Sequence, residues 1–366
     1  MTYRVLCITD KSDLPETELF IGLKNTGVDI EVMCNPDGKH YGRLRQSGVP
    51  AIDLVLKNRL DFAGVRRIKA QLKIKSYDIL YCFNNPAAAT ALMASRGEPC
   101  KIITYRGVAG NVGFLSPGSW MTHLHPRVKR IVCVSNSVKS YFLSLHFLWF
   151  RLNPQKPVTI YKGHDLSWYG DPPADLNQFG IPNNAFVIGF AGRNRPNRGL
   201  NYIVDAAKLL PEDAPIHFLF LGKLTDDMKL RQQIDQSPYR DRIHLAGFRN
   251  DAPAIAGACD TFILPSVFKE GLSRAVIEAM AYGTPPIVTN IGGHPELVIH
   301  NESGLVVPPK DPAAISAAIL DFYHDPAKKK RLGENARIRI KTRFNIKSTV
   351  ADTRRLFEEV LSSPSG

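Results

Sequence analysis

Two glutamates stand eight residues apart in the run Glu270-Gly271-Leu272-Ser273-Arg274-Ala275-Val276-Ile277-Glu278. Apolar residues at Ala275, Ile277, Ala279 and Met280 predict a helix over residues 273–282, capped by Ser273 and stopped by Gly283-Thr284-Pro285-Pro286. Glu270 then lies in the loop before the helix. Glu278 lies inside it, on an apolar helix where a buried carboxylate needs a partner. Upstream, the turn Gly192-Arg193-Asn194-Arg195-Pro196-Asn197-Arg198-Gly199 follows an apolar strand pattern. A strand there delivers Arg193 to its carboxyl end, where open α/β sheets bind ligands, and Arg198 precedes a glycine and a helix. Two guanidinium groups in such a turn can clamp a diphosphate bidentately, or they can simply be solvated. The backbone N–H groups of Gly271, Leu272 and Ser273, at a helix start, favour the same anion. With a phosphate there, Glu278 can accept hydrogen bonds from ribose hydroxyls and Glu270 can reach the group beyond. The plain alternative makes Glu270 an acid favoured by the helix dipole and Glu278 a salt-bridged residue.

These residues need elements to hold them. Residues 3–9 (YRVLCIT) read as a first buried parallel strand, followed by a helix over 16–26 and a strand over 29–34. Strands then read at 79–82, 101–105 and 130–134, with helices over 65–75, 87–95 and 138–150 between them. The alternation restarts after a Gly-, Pro-, Asp- and Asn-rich linker at 161–184. Strands at 185–191, 216–221, 243–245, 261–264, 286–289 and 304–307 follow, with a helix over 200–210. A last helix reads over 348–361. Two α/β units with mostly parallel sheets are expected, as the length of 366 residues also favours.

Composition narrows the class. Apolar residues make up 44% and charged residues 22%, ordinary for a soluble globular chain. No run is long enough to span a bilayer, nothing at the start reads as a leader, and the cysteine usage makes the cytoplasm the expected setting. Six scattered cysteines lack metal or disulfide spacing; Cys7, Cys82 and Cys133 fall in apolar runs and read as core. The net charge of +13 is uneven. Residues 1–170 carry 23 Lys and Arg against 12 Asp and Glu, and the remainder carries 24 against 22. The basic half points to an anionic partner or surface. Lys57, Arg59, Arg66, Arg67, Lys69, Lys73 and Lys75 alternate with apolar residues, which fits a face against anionic lipid headgroups as well as a solvated helix. Residues 141–152, with Phe147, Trp149 and Phe150, could dip into a bilayer interface, although core packing is the expected role. Nucleic-acid binding lacks a base-reading motif.

Taken in order, the residues resemble one family. Gly192-Arg193…Arg198-Gly199, Pro265-Ser266…Glu270-Gly271…Glu278-Ala279-Met280-Ala281…Gly283-Thr284-Pro285, Gly292-Gly293…Glu296 and Ser303-Gly304-Leu305-Val306 look like the retaining glycosyltransferases of family 4. Val134-Ser135 and Lys162-Gly163-His164-Asp165 fit more loosely, the latter where members often have Asn-Gly-Val-Asp. The resemblance implies the GT-B fold, two Rossmann-like domains facing a central cleft: an acceptor-side domain at 1–165, a donor domain at 166–345, and a final helix at 346–366 returning to the first domain.

It also implies transfer of a sugar from a nucleotide diphosphate donor, a UDP-sugar by family frequency, to a glycan or lipid-linked glycan acceptor of bacterial surface polysaccharide or lipopolysaccharide. Configuration is retained, and no metal or other cofactor is required. Arg193 and Arg198 stand where the family binds the diphosphate, Glu270 where it contacts the sugar, and Glu278 where it contacts ribose. Gly192, Gly271, Leu272 and Ser273 complete the donor contacts, and a base pocket is expected near Phe248 and Arg249. The acceptor side is expected to involve Asp10 and Arg106; members often carry a histidine near the latter, and the loop after the first strand lacks their paired glycines. His123 and His125 read as loop contacts. A sugar-nucleotide epimerase of the same fold and a catalytically silent glycan-assembly partner are the competing readings.

Overall fold

The computed structural model describes residues 3–363. The chain divides into two compact units. One runs to Gly163 and resumes at Asn345, and the other spans His164–Phe344.

The first unit is built on seven parallel strands: β1 (Arg4–Ile8), β2 (Asp29–Cys34), β3 (Ala51–Asp53), β4 (Ile79–Cys82), β5 (Lys101–Arg106), β6 (Val128–Cys133) and, after a hairpin of β7 (His146–Phe147) and β8 (Phe150–Arg151), β9 (Pro157–Thr159). Their order is β3-β2-β1-β4-β5-β6-β9. Val5, Leu6, Cys7 and Ile8 are inaccessible to water, as a strand covered by helices on both faces requires. Side-chain caps fix the helix starts. Asp13 accepts from the Glu16 amide, Asp61 from Gly64, and Ser135 from Val138. The last helix, Ile346–Ser362, packs on this unit's core; Phe357 sits edge-on to Tyr81 with centroids 5.7 Å apart. Thr349 fastens its first turn, donating to the Tyr161 carbonyl at 2.8 Å and accepting from the Gly163 amide at 2.9 Å.

Four expectations change here. The helix expected over 138–150 covers only Asn136–Leu143, and the chain then turns into the β7–β8 hairpin. The expected core packing of its aromatic residues does not occur: Trp149 is 78% exposed and Leu148 67%. The basic helix starts earlier than expected, at Phe62, because Asp61 caps it. It turns Ile68 and Leu72 inward, leaving Arg66, Arg67, Lys69 and Lys73 in solvent. Lys75 does not share that face. Its ammonium is held by Glu31 at 2.7 Å and Asp29 at 3.3 Å. Among the described residues no helix is long and apolar enough to cross a membrane, and all six cysteines are buried thiols.

The second unit has six parallel strands: β10 (Phe186–Ala191), β11 (Ile216–Leu221), β12 (Ile243–Gly247), β13 (Thr261–Leu264), β14 (Pro286–Thr289) and β15 (Leu305–Val307). Their order is β12-β11-β10-β13-β14-β15. From β10 the chain passes to β11 on one side, and β13 returns on the other. The strand order therefore reverses between β10 and β13, where a crevice opens beyond the carboxyl ends of a doubly wound sheet.

Candidate active site

The loops leaving β10 and β13 meet at that reversal. The Val267 amide donates to the Asn197 carbonyl at 2.9 Å, tying the two loops together. Close backbone approach explains the glycines. At Gly199, whose φ is +67°, a Cβ would stand 2.1 Å from the Pro265 carbonyl oxygen. At Gly222, after β11, a Cβ would stand 1.9 Å from the Gly192 carbonyl oxygen, and at Gly292, after β14, 2.0 Å from that of Glu270. No larger residue fits without moving a loop.

Arg198 and Glu270 occupy the junction. One Arg198 nitrogen, Nη1, donates to Glu270 Oε2 at 2.5 Å, and the Ser266 hydroxyl donates to the same oxygen at 2.8 Å. Thr289, at the end of β14, holds the Ser266 carbonyl at 2.5 Å. The Glu270 side chain is only 6% exposed and that of Arg198 27%. The buried carboxylate is thus Glu270, the reverse of what the apolar helix around Glu278 leads one to expect. On the helix Arg274–Tyr282, Glu278 falls at the edge of the buried stripe of Val276, Ile277 and Met280, one turn from Arg274, whose Nε lies 3.3 Å away. Its partner is an i,i+4 cation, and Glu278 stays partly exposed.

Ser273 precedes this helix without a side-chain cap bond, and the first-turn amides lack helical carbonyl partners, as at any helix start. Gly271 is buried beside Glu270 and Leu272 is half-buried. Arg193 is exposed in the β10 loop. Phe248, after β12, is 67% exposed, while Arg249 is committed to Asp251 through two bonds of 2.8 and 2.6 Å. That pair uses Nε and Nη2 and holds the guanidinium at the rim of the loop.

His294 was passed over in the sequence, although it stands within Gly292-Gly293…Glu296. It is fully buried, and the Thr289 carbonyl fixes Nδ1 at 3.2 Å. Burial pushes its pKa down to about 4, despite the opposing pull of Glu270. Its Nε2 has no partner. A neutral imidazole is therefore placed near Glu270 with one unsatisfied lone pair.

On the first unit, Asp10 is exposed at the end of β1, 3.3 Å from the Asn35 amide nitrogen. Arg106 does not present a free cation. It is buried, and its guanidinium donates to the Val108 carbonyl at 2.9 Å and the Gly110 carbonyl at 2.5 Å, so it staples its own loop. His123 is also a core residue, between the Thr104 hydroxyl at 3.0 Å and Asn85 Oδ1 at 3.1 Å, rather than a loop contact. His125 Nδ1 accepts from the Arg127 amide at 3.1 Å, a turn contact. Lys162 sits between Asp13 at 2.6 Å and Glu16 at 3.3 Å. Burial opposes its charge, but Glu16, Tyr105 and Asp13 outweigh that and raise its pKa. Among the described residues no group of three or more His, Cys, Asp or Glu is arranged to hold a metal ion.

Residues 172–339 match the family described as Glycosyl transferases group 1, and residues 17–168 match Glycosyltransferase Family 4. A curated relative from Escherichia coli, UDP-Gal:alpha-D-GlcNAc-diphosphoundecaprenol alpha-1,3-galactosyltransferase, is 27% identical over 95% of this chain and 92% of its own length. Among solved structures, a glycosyltransferase from Rickettsia africae superposes with a TM-score of 0.83 at 19% identity, covering 99% of this chain and all of its own. The Anabaena protein HepE in complex with UDP-glucose superposes with a TM-score of 0.79 at 21% identity, covering 98% of this chain and all of its own.

Proposed function

The chain belongs to the family 4 glycosyltransferases and has their GT-B fold, and from that membership we propose that it moves a sugar from a UDP-sugar to a lipid-linked glycan, retaining the anomeric configuration and using no metal ion. The observation that carries this reading is the pair of half-buried Arg198 and buried Glu270 at the strand-order reversal. Only Nη1 of Arg198 is used by Glu270. The remaining guanidinium donors can take a phosphate oxygen while the charge of Glu270 stays neutralised.

In this reading Arg193, Arg198 and the amides of Gly271, Leu272 and Ser273 hold the diphosphate, with Gly192 letting the backbone approach. Glu278 accepts from the ribose, the backbone at Phe248 and Arg249 lines the base, and Glu270 binds a sugar hydroxyl. The bond from the anomeric carbon to the phosphate oxygen breaks as the acceptor oxygen attaches on the same face. Positive charge placed beforehand stabilises the departing diphosphate, whose oxygen takes the acceptor's proton. No side-chain nucleophile is needed.

The E. coli relative uses UDP-Gal and a diphosphoundecaprenol-linked acceptor, and the HepE structure holds UDP-glucose. Both support a UDP-sugar here. A diphospholipid acceptor fits the basic first unit, with Asp10 the acceptor-side residue left exposed. The exposed cations Lys57, Arg66, Arg67, Lys69 and Lys73 would keep the enzyme on the cytoplasmic membrane surface.

Thermal unfolding in the presence of UDP, GDP and ADP tests the donor assignment. UDP at a hundred times its Kd should stabilise the donor unit by about 2.7 kcal/mol. Arg193→Ala should weaken UDP binding by roughly 1.5–3 kcal/mol, the value of a charge-assisted contact. Stabilisation by GDP or ADP but not UDP would overturn the UDP assignment; stabilisation by none would overturn the diphosphate site.

A further inference from the structure

Residues 99–164 contain nine Lys and Arg and no Asp or Glu. In the middle of that stretch the β7–β8 hairpin presents Phe147, Leu148, Trp149 and Phe150 to solvent, at 38%, 67%, 78% and 52% exposure. Leu148 and Trp149 form a two-residue turn, a place where Asn-Gly or Asp-Gly is the ordinary choice. Leu148 holds a φ of +52°, uncommon for a bulky apolar side chain. An isolated two-stranded hairpin is marginal in water, and the tip of this one is exposed. Four apolar side chains at a strained, exposed turn make little sense in water alone.

The hairpin is continuous with other exposed apolar groups. It leaves the helix Asn136–Leu143, whose Leu143 is 43% exposed. The Tyr141 hydroxyl of that helix binds the backbone of Val112, in the loop that carries the 76% exposed Leu115 and leads to Trp120. Arg59 lies against Gly118 in the same region, which brings the start of the basic segment, with exposed Leu60 and Phe62, alongside. One end of this surface is aromatic and the other is cationic.

We propose that the hairpin tip is a membrane anchor that inserts Leu148 and Trp149 into the interfacial layer of an anionic bilayer. The proposal rests on the membrane-surface reading above and extends it from electrostatic contact to insertion. Charge complementarity selects this occupant: the exposed Arg151 beside the apolar tip and the exposed Arg66, Arg67, Lys69 and Lys73 suit anionic headgroups, and tryptophan partitions to the headgroup level. Lipid contact would also cover the apolar turn.

The full chain carries three tryptophans. A Trp120→Phe/Trp168→Phe variant leaves Trp149 as sole reporter. With vesicles of phosphatidylglycerol and phosphatidylcholine its emission should shift to the blue and be quenched by lipids brominated near the headgroup. Leu148→Ser/Trp149→Ser, in the otherwise native chain, should lower partitioning into these vesicles by about tenfold or more, measured by sedimentation. UDP-induced stabilisation should persist, since the hairpin lies outside the donor unit, which shows that the variant is folded. Replacing Arg66, Arg67, Lys69 and Lys73 with Gln should weaken the salt-sensitive part of binding while vesicle-bound protein keeps the Trp149 shift. Vesicle binding lost in the Gln variant but unchanged in the Ser variant would overturn insertion and leave the basic face standing. No binding by the native chain would overturn both. A concentration-dependent dimer abolished by the Ser changes, without a blue shift on vesicles, would assign the tip to a second copy instead and overturn the proposal.

Discussion

Replacing Arg198 by alanine removes the cation from a carboxylate that has almost no access to water. Breaking a buried ion pair by deleting one partner costs about 3–5 kcal/mol, because the remaining charge is left uncompensated. Glu270 is 6% exposed, but Arg198 is 27% exposed, so part of the lost interaction is recovered by water and about 2–3 kcal/mol is the better expectation. For a unit of this size each kcal/mol moves the midpoint by about 2–4 °C, which gives a fall of about 4–12 °C. Adding Glu270→Gln to Arg198→Ala removes the stranded charge while keeping an acceptor for the Ser266 hydroxyl. The double variant should therefore regain at least half of the loss. Thermal unfolding of the single and double variants without nucleotide measures the coupling directly. If the two changes add to within about 0.5 kcal/mol, the residues do not act as a pair and the argument from the buried junction is wrong.

Gly222→Ala and Gly292→Ala should each destabilise the donor unit and weaken UDP binding together, since the added Cβ would meet the Gly192 or Glu270 carbonyl; titration calorimetry reads the second effect. Burial holds His294 near a pKa of about 4 against about 6.5 unfolded, so the unfolded chain binds more protons between those values. Its contribution is complete above pH 6.5 and is lost as the pH falls toward 4, by up to about 3 kcal/mol; His294→Gln should flatten that acid limb in denaturant titrations. Glu278→Gln should weaken UDP as well as the sugar nucleotide, whereas Glu270→Gln should spare free UDP and depress turnover; equal losses in both would break the division of roles.

Much of the fold was legible because its interior strands are continuous apolar runs bounded by turn residues. The edge strands β3 and β9 escaped notice: each has three residues, and the half-buried Ala51 and Ile52 leave no run to see. Residues 141–150 misled because an almost uniformly apolar segment fits any period, and only the geometry shows Leu148 turning back on itself. The arginines and glutamates of the second unit could be found from the order of motifs around them. Their burial could not, although Arg274 one turn before Glu278 was a readable sign of a paired, surface-edge carboxylate. Arg106 was misread as a ligand-facing cation because nothing in Tyr105-Arg106-Gly107 reveals that two carbonyls of the next four residues wait for its guanidinium. His294 lacked a distinguishing pattern of its own; its value comes from the Thr289 carbonyl that fixes one nitrogen and the missing hydrogen-bond partner of the other.

The central claim is that this chain transfers a sugar from a UDP-sugar with retention. Nuclear magnetic resonance of the product made from an α-linked UDP-hexose and a lipid-diphosphate-linked saccharide tests it most directly, with metal chelated throughout. The product should carry an α-linked hexose on the acceptor, with one UDP released per linkage formed. A β-linked product would contradict retention, and a changed sugar nucleotide without any acceptor requirement would replace transfer by epimerisation.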